Sequence, residues 1–442
     1  MTHNAQTKTV TEKLSLPELI AIGVGGMVGG GIFSVLGLSA SVSGHAAPLA
    51  FAFGGIIALL TGYAYIRLGL HFRSDGGSFT YLERAFKQRN VAGIGGWLLL
   101  VGYIGTMGLY AYTFGVYGSA MLGDKFNTPL MHHALASLVL LVFLGVNLYG
   151  VKASGGTELL LVAVKVAILA LFAVAGLMTI KSDHLLPVFN KGMGGLIMGA
   201  ALIFVAYEGF ELIPNAVNEM QNPEKNLSRA IFISIIITII IYIFVALVAV
   251  GNLTPAEIAK YKEYALAVAA KPSLGQMGFL LIGLGALLST SSAINATMFG
   301  TARLGMAMAQ DKELPKAFSY TARTKPVPWV SLLVISVVTL VFVNIADLTI
   351  ISSFASSTFL LIFIAINLSA IRLSKTIRAN VWAPGLGLIL AAGSWLVLMG
   401  YLWRNDTKSL YQVGFFYAAV IIAELIFSQR GVYPPRGQTH LS

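Results

Sequence analysis

The sequence predicts an all-α polytopic membrane protein, and three observations carry the prediction. Hydrophobic residues make up 57% of the 442 residues and charged residues only 11%, about half the charge of an average soluble domain. The apolar residues are gathered into segments long enough to span a bilayer as helices. Glycine and acidic residues interrupt two of those segments, where hydrocarbon offers no water to a broken backbone. Twelve segments are legible, at 14–39, 46–70, 91–122, 131–150, 157–180, 193–213, 229–251, 275–309, 327–345, 348–372, 381–403 and 410–428. With the N-terminus inside, most Lys and Arg fall on the inner connections, among them Arg67, Arg73, Arg84, Lys87, Arg89, Lys152, Arg303, Lys312, Lys325 and Lys375. That bias puts both termini in the cytoplasm. The net charge of +11 is therefore an orientation signal and not a nucleic-acid footprint. The chain has no cysteine, which excludes disulfides, thiolate metal sites and cysteine catalysis. Its first apolar segment is too long and too glycine-rich for a cleaved signal peptide.

Residues 1–13 read as a polar tail, and Pro17 suits the first turn of the helix that follows. The middle of that helix runs Gly23-Val24-Gly25-Gly26-Met27-Val28-Gly29-Gly30-Gly31-Ile32-Phe33. Six glycines in nine residues cost about 1 kcal/mol each against alanine in a helix interior. Close packing of another helix explains Gly25 and Gly29 by their spacing. Three consecutive glycines exceed what packing needs and predict a broken helix. A half-helix starting near Gly31 aims bare N–H groups at an anion such as a carboxylate.

The second segment ends in the turn-rich stretch Arg73-Ser74-Asp75-Gly76-Gly77-Ser78, followed by the basic run Arg84, Lys87 and Arg89, a solvated inside-facing anchor. The glycine-rich third segment suits a helix crossing others at the bundle centre. In the fifth, Lys165 is the one basic residue deep inside any span, flanked on each side by apolar residues. An ionisable group at that depth is a functional candidate; pairing with a glutamate is the structural alternative, and the span's interior offers no acid. The sixth segment holds Phe204-Val205-Ala206-Tyr207-Glu208-Gly209-Phe210-Glu211-Leu212-Ile213-Pro214, two carboxylates around a glycine and then proline. Regular helix there is unfavourable in lipid. The two interruptions fall at corresponding places of two five-span halves, the sequence pointer to a transporter of inverted repeats with its site between broken helices. Beyond lie a polar inner loop (218–229) and an outer segment (254–273) with a helix start at Thr254-Pro255. The eighth span carries Ser289-Thr290-Ser291-Ser292 and Asn295. Such hydroxyls usually bond their own backbone, yet four in a row also suit a cation. Glu424 near the inner end of the last span reads as interfacial.

At these residues the chain resembles the amino acid–polyamine–organocation transporter family. Gly29-Gly30-Gly31-Ile32-Phe33 is similar to the family's Gly-x-Gly-Ile-Phe element, and Asp75-Gly76-Gly77-Ser78-Phe79-Thr80-Tyr81 to its Gly-Gly-x-x-Tyr loop. The stretch from Phe204 to Glu211, with Asn218-Glu219 and Asn222-Pro223, resembles its sixth-helix motif. Ala302-Arg303, Ala307-Met308-Ala309-Gln310-Asp311 and Leu314-Pro315 resemble its eighth-helix ending. The resemblance covers most of 14–372. It implies a LeuT-type fold, with a ten-helix core of five-plus-five inverted repeats (14–372), peripheral helices 11 and 12 (373–428) and a cytoplasmic C-terminal tail (429–442). Helices 1 and 6 are then broken.

The resemblance also implies a site. Substrate carboxylate would bind N–H groups around Gly29, at Gly30, Gly31 and Ile32. The amine would bind carbonyls near Gly26 and Met27 and at Phe204, Val205 and Tyr207, with Phe204 covering the substrate. Lys165 would replace a sodium ion between the Gly25 and Val28 carbonyls and the eighth-helix hydroxyls from Ser289 to Ser292. The sequence departs from the family pattern at Gly30 and Glu208. Glu208 and Glu211 stand open between a role with cationic substrates or protons and a structural pairing, with Glu208 the better candidate for selectivity.

The expected function is secondary active transport of amino acids or related amines across a prokaryotic inner membrane, by proton symport with Lys165 in the place of sodium. Substrate exchange, of amino acids or polyamines, is the alternative. A channel needs a continuous polar pore, whereas polar residues cluster here at mid-depth. A membrane enzyme needs convergent catalytic groups, and none of the seven histidines lies in a span interior. No metal and no cofactor is called for; the partners are the substrate, protons and the bilayer.

Overall fold

The computed structural model describes residues 13–74, 76–86, 89–150, 155–322 and 327–427. The C-terminal tail, nearly all of the N-terminal one, and Asp75, Lys87, Lys152 and Lys325 lie outside them. In chain order the helices are α1 (Leu16–Met27), α2 (Gly30–Ser43), α3 (Ala47–Phe72), α4 (Gly77–Ala85), α5 (Arg89–Met121), α6 (Pro129–Tyr149), α7 (Gly155–Leu177) and α8 (Gly192–Leu202). Two 3-10 stretches follow, Phe204–Tyr207 and Phe210–Ala216. Then come α9 (Pro223–Asn252), α10 (Pro255–Lys260), α11 (Ala265–Ala269), α12 (Lys271–Gln310), α13 (Trp329–Ile345), α14 (Leu348–Arg372), α15 (Ser374–Ile377), α16 (Trp382–Asn405) and α17 (Thr407–Phe427).

Every apolar segment read in the sequence holds a helix or a broken pair. Nine stretches among the described residues are long and apolar enough to cross a membrane. The sixth segment makes a tenth by pairing α8 with its 3-10 continuation across a 49° bend. α1 and α13 are shorter apolar helices. Two boundaries differ from expectation. The turn-rich stretch after α3 coils into α4 almost at once, and the loop expected at 218–229 gives way to α9 at Pro223. Asn222, with φ 44°, turns the chain, and Pro223 suits the first helical turn because its missing N–H would have had no partner.

Between helices in lipid the packing gain comes from close approach, so small residues sit where helices cross. On α5, Gly96 faces Phe79 and Met308, Gly102 faces Phe359, and Gly105 faces Phe354. α5 thus crosses α12 and α14 at the centre. α14 is the most buried of the spans, with 78% of its apolar window inside, against 28% for α16 and 22% for α17, which form an outer layer. A short bridge ties the two broken elements at one end: Leu14 N–H donates to the Glu219 carbonyl (2.8 Å) and Gln221 N–H to the Leu14 carbonyl (2.9 Å).

Candidate functional site

The glycine run breaks the first helix as its composition requires. α1 ends at Met27; Val28 leaves helical geometry (φ −79°, ψ 54°), Gly29 is extended differently again (φ −91°, ψ −140°), and α2 begins at Gly30 with no side chain capping it. The break frees carbonyls at the end of α1 and leaves the first N–H groups of α2 without helical acceptors. In the sixth segment α8 stops at Leu202. Ser356 of α14 repairs that end: its hydroxyl donates to the Leu202 carbonyl (2.7 Å) and accepts the Val205 N–H (3.1 Å). Glu208 is extended (φ −66°, ψ 138°), and Gly209 has φ 131°, a conformation closed to L side chains.

The breaks touch backbone to backbone. A Cβ on Gly26 would lie 2.8 Å from Cα of Gly209, and one on Gly31 would lie 2.7 Å from Cα of Ala206. Tyr242 of α9 spans the junction, its hydroxyl 2.6 Å from the Met27 carbonyl and 2.8 Å from that of Ala206.

Lys165, 1% exposed, reaches from α7 to the first break, its Nζ donating to the Gly25 and Val28 carbonyls at 3.1 Å each. Ser289 of α12 donates to the same Val28 carbonyl and lies 3.4 Å from the Gly29 carbonyl. Ser292, grouped with Ser289 in the sequence reading, goes elsewhere: its hydroxyl lies 3.3 and 3.2 Å from the two carboxylate oxygens of Glu158 on α7. One helical turn separates Ser289 from Ser292, so the first meets the broken helix and the second meets α7.

Both acids of the second break are buried. Glu208 accepts a hydrogen bond from Thr106 of α5. Glu211 turns back on its own element and accepts the Gly209 N–H at 2.7 Å. The pairing with Lys or Arg weighed as an alternative in the sequence is absent for both among the described residues, where the ion pair formed is Arg73–Glu224 at 3.3 Å.

A cavity of about 230 Å³ lies against the breaks. Gly25, Gly26, Glu208 and Ser292 line it, together with Ile22, Tyr110, Glu158, Gly209, Leu212 and Thr297. Met27, Val28 and the 29–32 turn lie deeper, where Gly29 and Gly30 face the Tyr110 ring. Phe204 packs on Phe363 (5.3 Å between centroids), and Val205 is held by Ser356. Tyr207 points its hydroxyl to the Phe51 carbonyl at 2.7 Å, toward α3 and away from the cavity. Sequence reasoning missed Thr106, Tyr110, Glu158 and Tyr242. Hydroxyls on ordinary helices carry no signal, but Glu158 did: it stands seven residues before Lys165, two helical turns along one face.

A family model described as amino acid permease matches residues 14–426. The chain belongs to the amino acid permease family. The permease is 30% identical to the inner membrane transport protein YbaT of Escherichia coli over 426 residues, covering 95% of this chain and 97% of that one. It is 28% identical to the serine/threonine exchanger SteT of Bacillus subtilis over 415 residues, 90% and 92% of the two chains. Among solved structures it is similar to a manganese transporter of Eremococcus coleocola, with TM-score 0.57 at 13% identity, covering 92% and 93%. That likeness is one of fold. The permease is an integral membrane protein of a family of transporters.

Beyond the first break, α2 is held closely by its neighbours. Ser34 bonds Thr113, Tyr117 donates to the Phe33 carbonyl (2.7 Å), and α11 lies against α2. Tyr112 donates to Glu263 (2.7 Å), tying α5 to the segment between α10 and α11.

Proposed function

We propose that the permease is a proton-coupled secondary transporter of amino acids or related amines, working by alternating access across a prokaryotic cytoplasmic membrane with both termini inside. The ten-helix core is 14–372, and 373–428 is peripheral. Substrate carboxylate docks on the N–H groups of Gly30, Gly31 and Ile32, and the amine on carbonyls of the two breaks. Glu208 biases the site toward cationic substrates. The cavity beside α1 is the inner vestibule, so the conformation described is closed to the outside and open inward.

One observation carries the coupling: an ammonium stands between the Gly25 and Val28 carbonyls, with Ser289 on the same carbonyl. These groups would otherwise suit a small cation, and Lys165 supplies the charge itself. Protonated, it ties α7 to the first break, where Ser289 separately holds α12; neutral, it loosens α7 there, so protonation biases one conformation over the other. The decisive measurement is uptake into proteoliposomes. Uptake should rise as external pH falls, survive replacement of sodium by choline, and lose its response to a pH gradient in Lys165→Ala. Strict sodium dependence overturns the reading. Exchange of one amino acid for another is a second reading, supported by the relative named a serine/threonine exchanger; counterflow that persists in Lys165→Ala would favour it.

A further inference from the structure

Lys165 is sealed from water, and the cavity that should exchange its proton does not reach it. Glu158 connects the two. It lies on the same face of α7, about 10 Å toward the N-terminus at 1.5 Å per residue, the direction in which helical side chains lean. Its carboxylate lines the cavity. Both side chains bracket one residue of the first break. Lys165 Nζ is 3.1 Å from the Gly25 carbonyl, and a Cβ on Gly25 would lie 2.9 Å from a Glu158 oxygen. Without that Cβ, Val162 of α7 fits on the same face between the two, its Cγ2 2.8 Å from the same point, so one small apolar side chain separates the ammonium from the carboxylate. Ser292 holds the carboxylate at the mouth from the α12 side. The other titratable side chains lining the cavity are Tyr110 of α5 and Glu208 of the second break, with Glu211 behind Glu208; α1 brings only Ile22, Gly25 and Gly26.

We propose that Glu158 is the proton port of Lys165, the group through which the buried lysine exchanges its proton with the cavity. The inference rests on the coupling role of Lys165. The ammonium passes its proton through water to the Glu158 carboxylate, leaving a neutral amine and a carboxylic acid. The acid then releases the proton to cavity water and returns to the carboxylate.

The test uses the full chain in proteoliposomes with a mixture of radiolabelled L-amino acids, followed as gradient-driven uptake and as counterflow without a gradient. Glu158→Gln should slow gradient-driven uptake about tenfold, a modest loss for a positioned proton-transfer group, with counterflow unchanged. Glu158→Asp should restore part of the loss. Glu83→Gln, at an exposed carboxylate of α4 remote from the cavity, is the control and should keep gradient-driven uptake. The port is overturned if Glu158→Gln responds to the gradient like wild type while Lys165→Ala does not, if Glu158→Gln loses counterflow equally, or if Glu83→Gln reproduces its loss. A wild-type proton response in Lys165→Ala overturns the coupling reading and the port with it.

Discussion

A lysine ammonium has three N–H bonds, and Lys165 directs two of them at carbonyls of the first break. Removing it leaves the Gly25 carbonyl without that donor, at a cost of about 1–3 kcal/mol, while Val28 keeps the Ser289 hydroxyl. Lys165→Ala is therefore expected to lower the detergent-solubilised melting temperature as well as to abolish proton stimulation, and thermal unfolding beside uptake checks both. Glu208 calls for a different substitution. Glutamine keeps the acceptor for Thr106 and removes only the charge, so Glu208→Gln should fold normally and shift preference from cationic toward neutral substrates. A competition panel reads this, and an unchanged ranking ends the selectivity role. Lys165 and Glu208 were legible because a charge inside an apolar run has no bland explanation in lipid. Glu158 carried only its seven-residue spacing to Lys165, a faint signal because it opens its segment, where a carboxylate is ordinary in a first helical turn; the approach of α12 and α1 gives it a site.

At the scale of elements, the glycine run and the Glu-Gly-Phe-Glu stretch announced both breaks, since neither composition suits helix in hydrocarbon. The direct contact of their backbones was not legible, because it depends on how two segments far apart in sequence meet. That contact makes two residues intolerant of change. Gly209 combines positive φ with the approach of Gly26, so Gly209→Ala should destabilise the protein by about 2 kcal/mol or more, strain and clash together, as a melting curve would report. Gly31 abuts Ala206, and Gly31→Leu should abolish substrate binding while the protein remains extractable. Undiminished affinity in that variant removes the carboxylate dock.

At the scale of the whole molecule, hydropathy gave the order and approximate ends of the helices. The conformational state was hidden, because it resides in contacts such as Tyr117 on Phe33 and α11 on α2. The absence of cysteine makes the state directly testable. In membranes, Leu212→Cys at the cavity should react with an impermeant thiol reagent supplied from the cytoplasmic side, and Ser34→Cys on α2 should be protected from the other side. The reverse pattern would place the opening at the wrong end.

Tyr242 ends up with a shortage of hydrogen. Its hydroxyl has one proton, and two main-chain oxygens, of Met27 and Ala206, stand within its reach; one of them must always wait. A guest that brings its own N–H can take the waiting oxygen and let the tyrosine settle on the other, fixing both breaks at once. A quaternary amine of the same size brings none. If the site takes amino acids as proposed, this pair of oxygens favours guests that can donate.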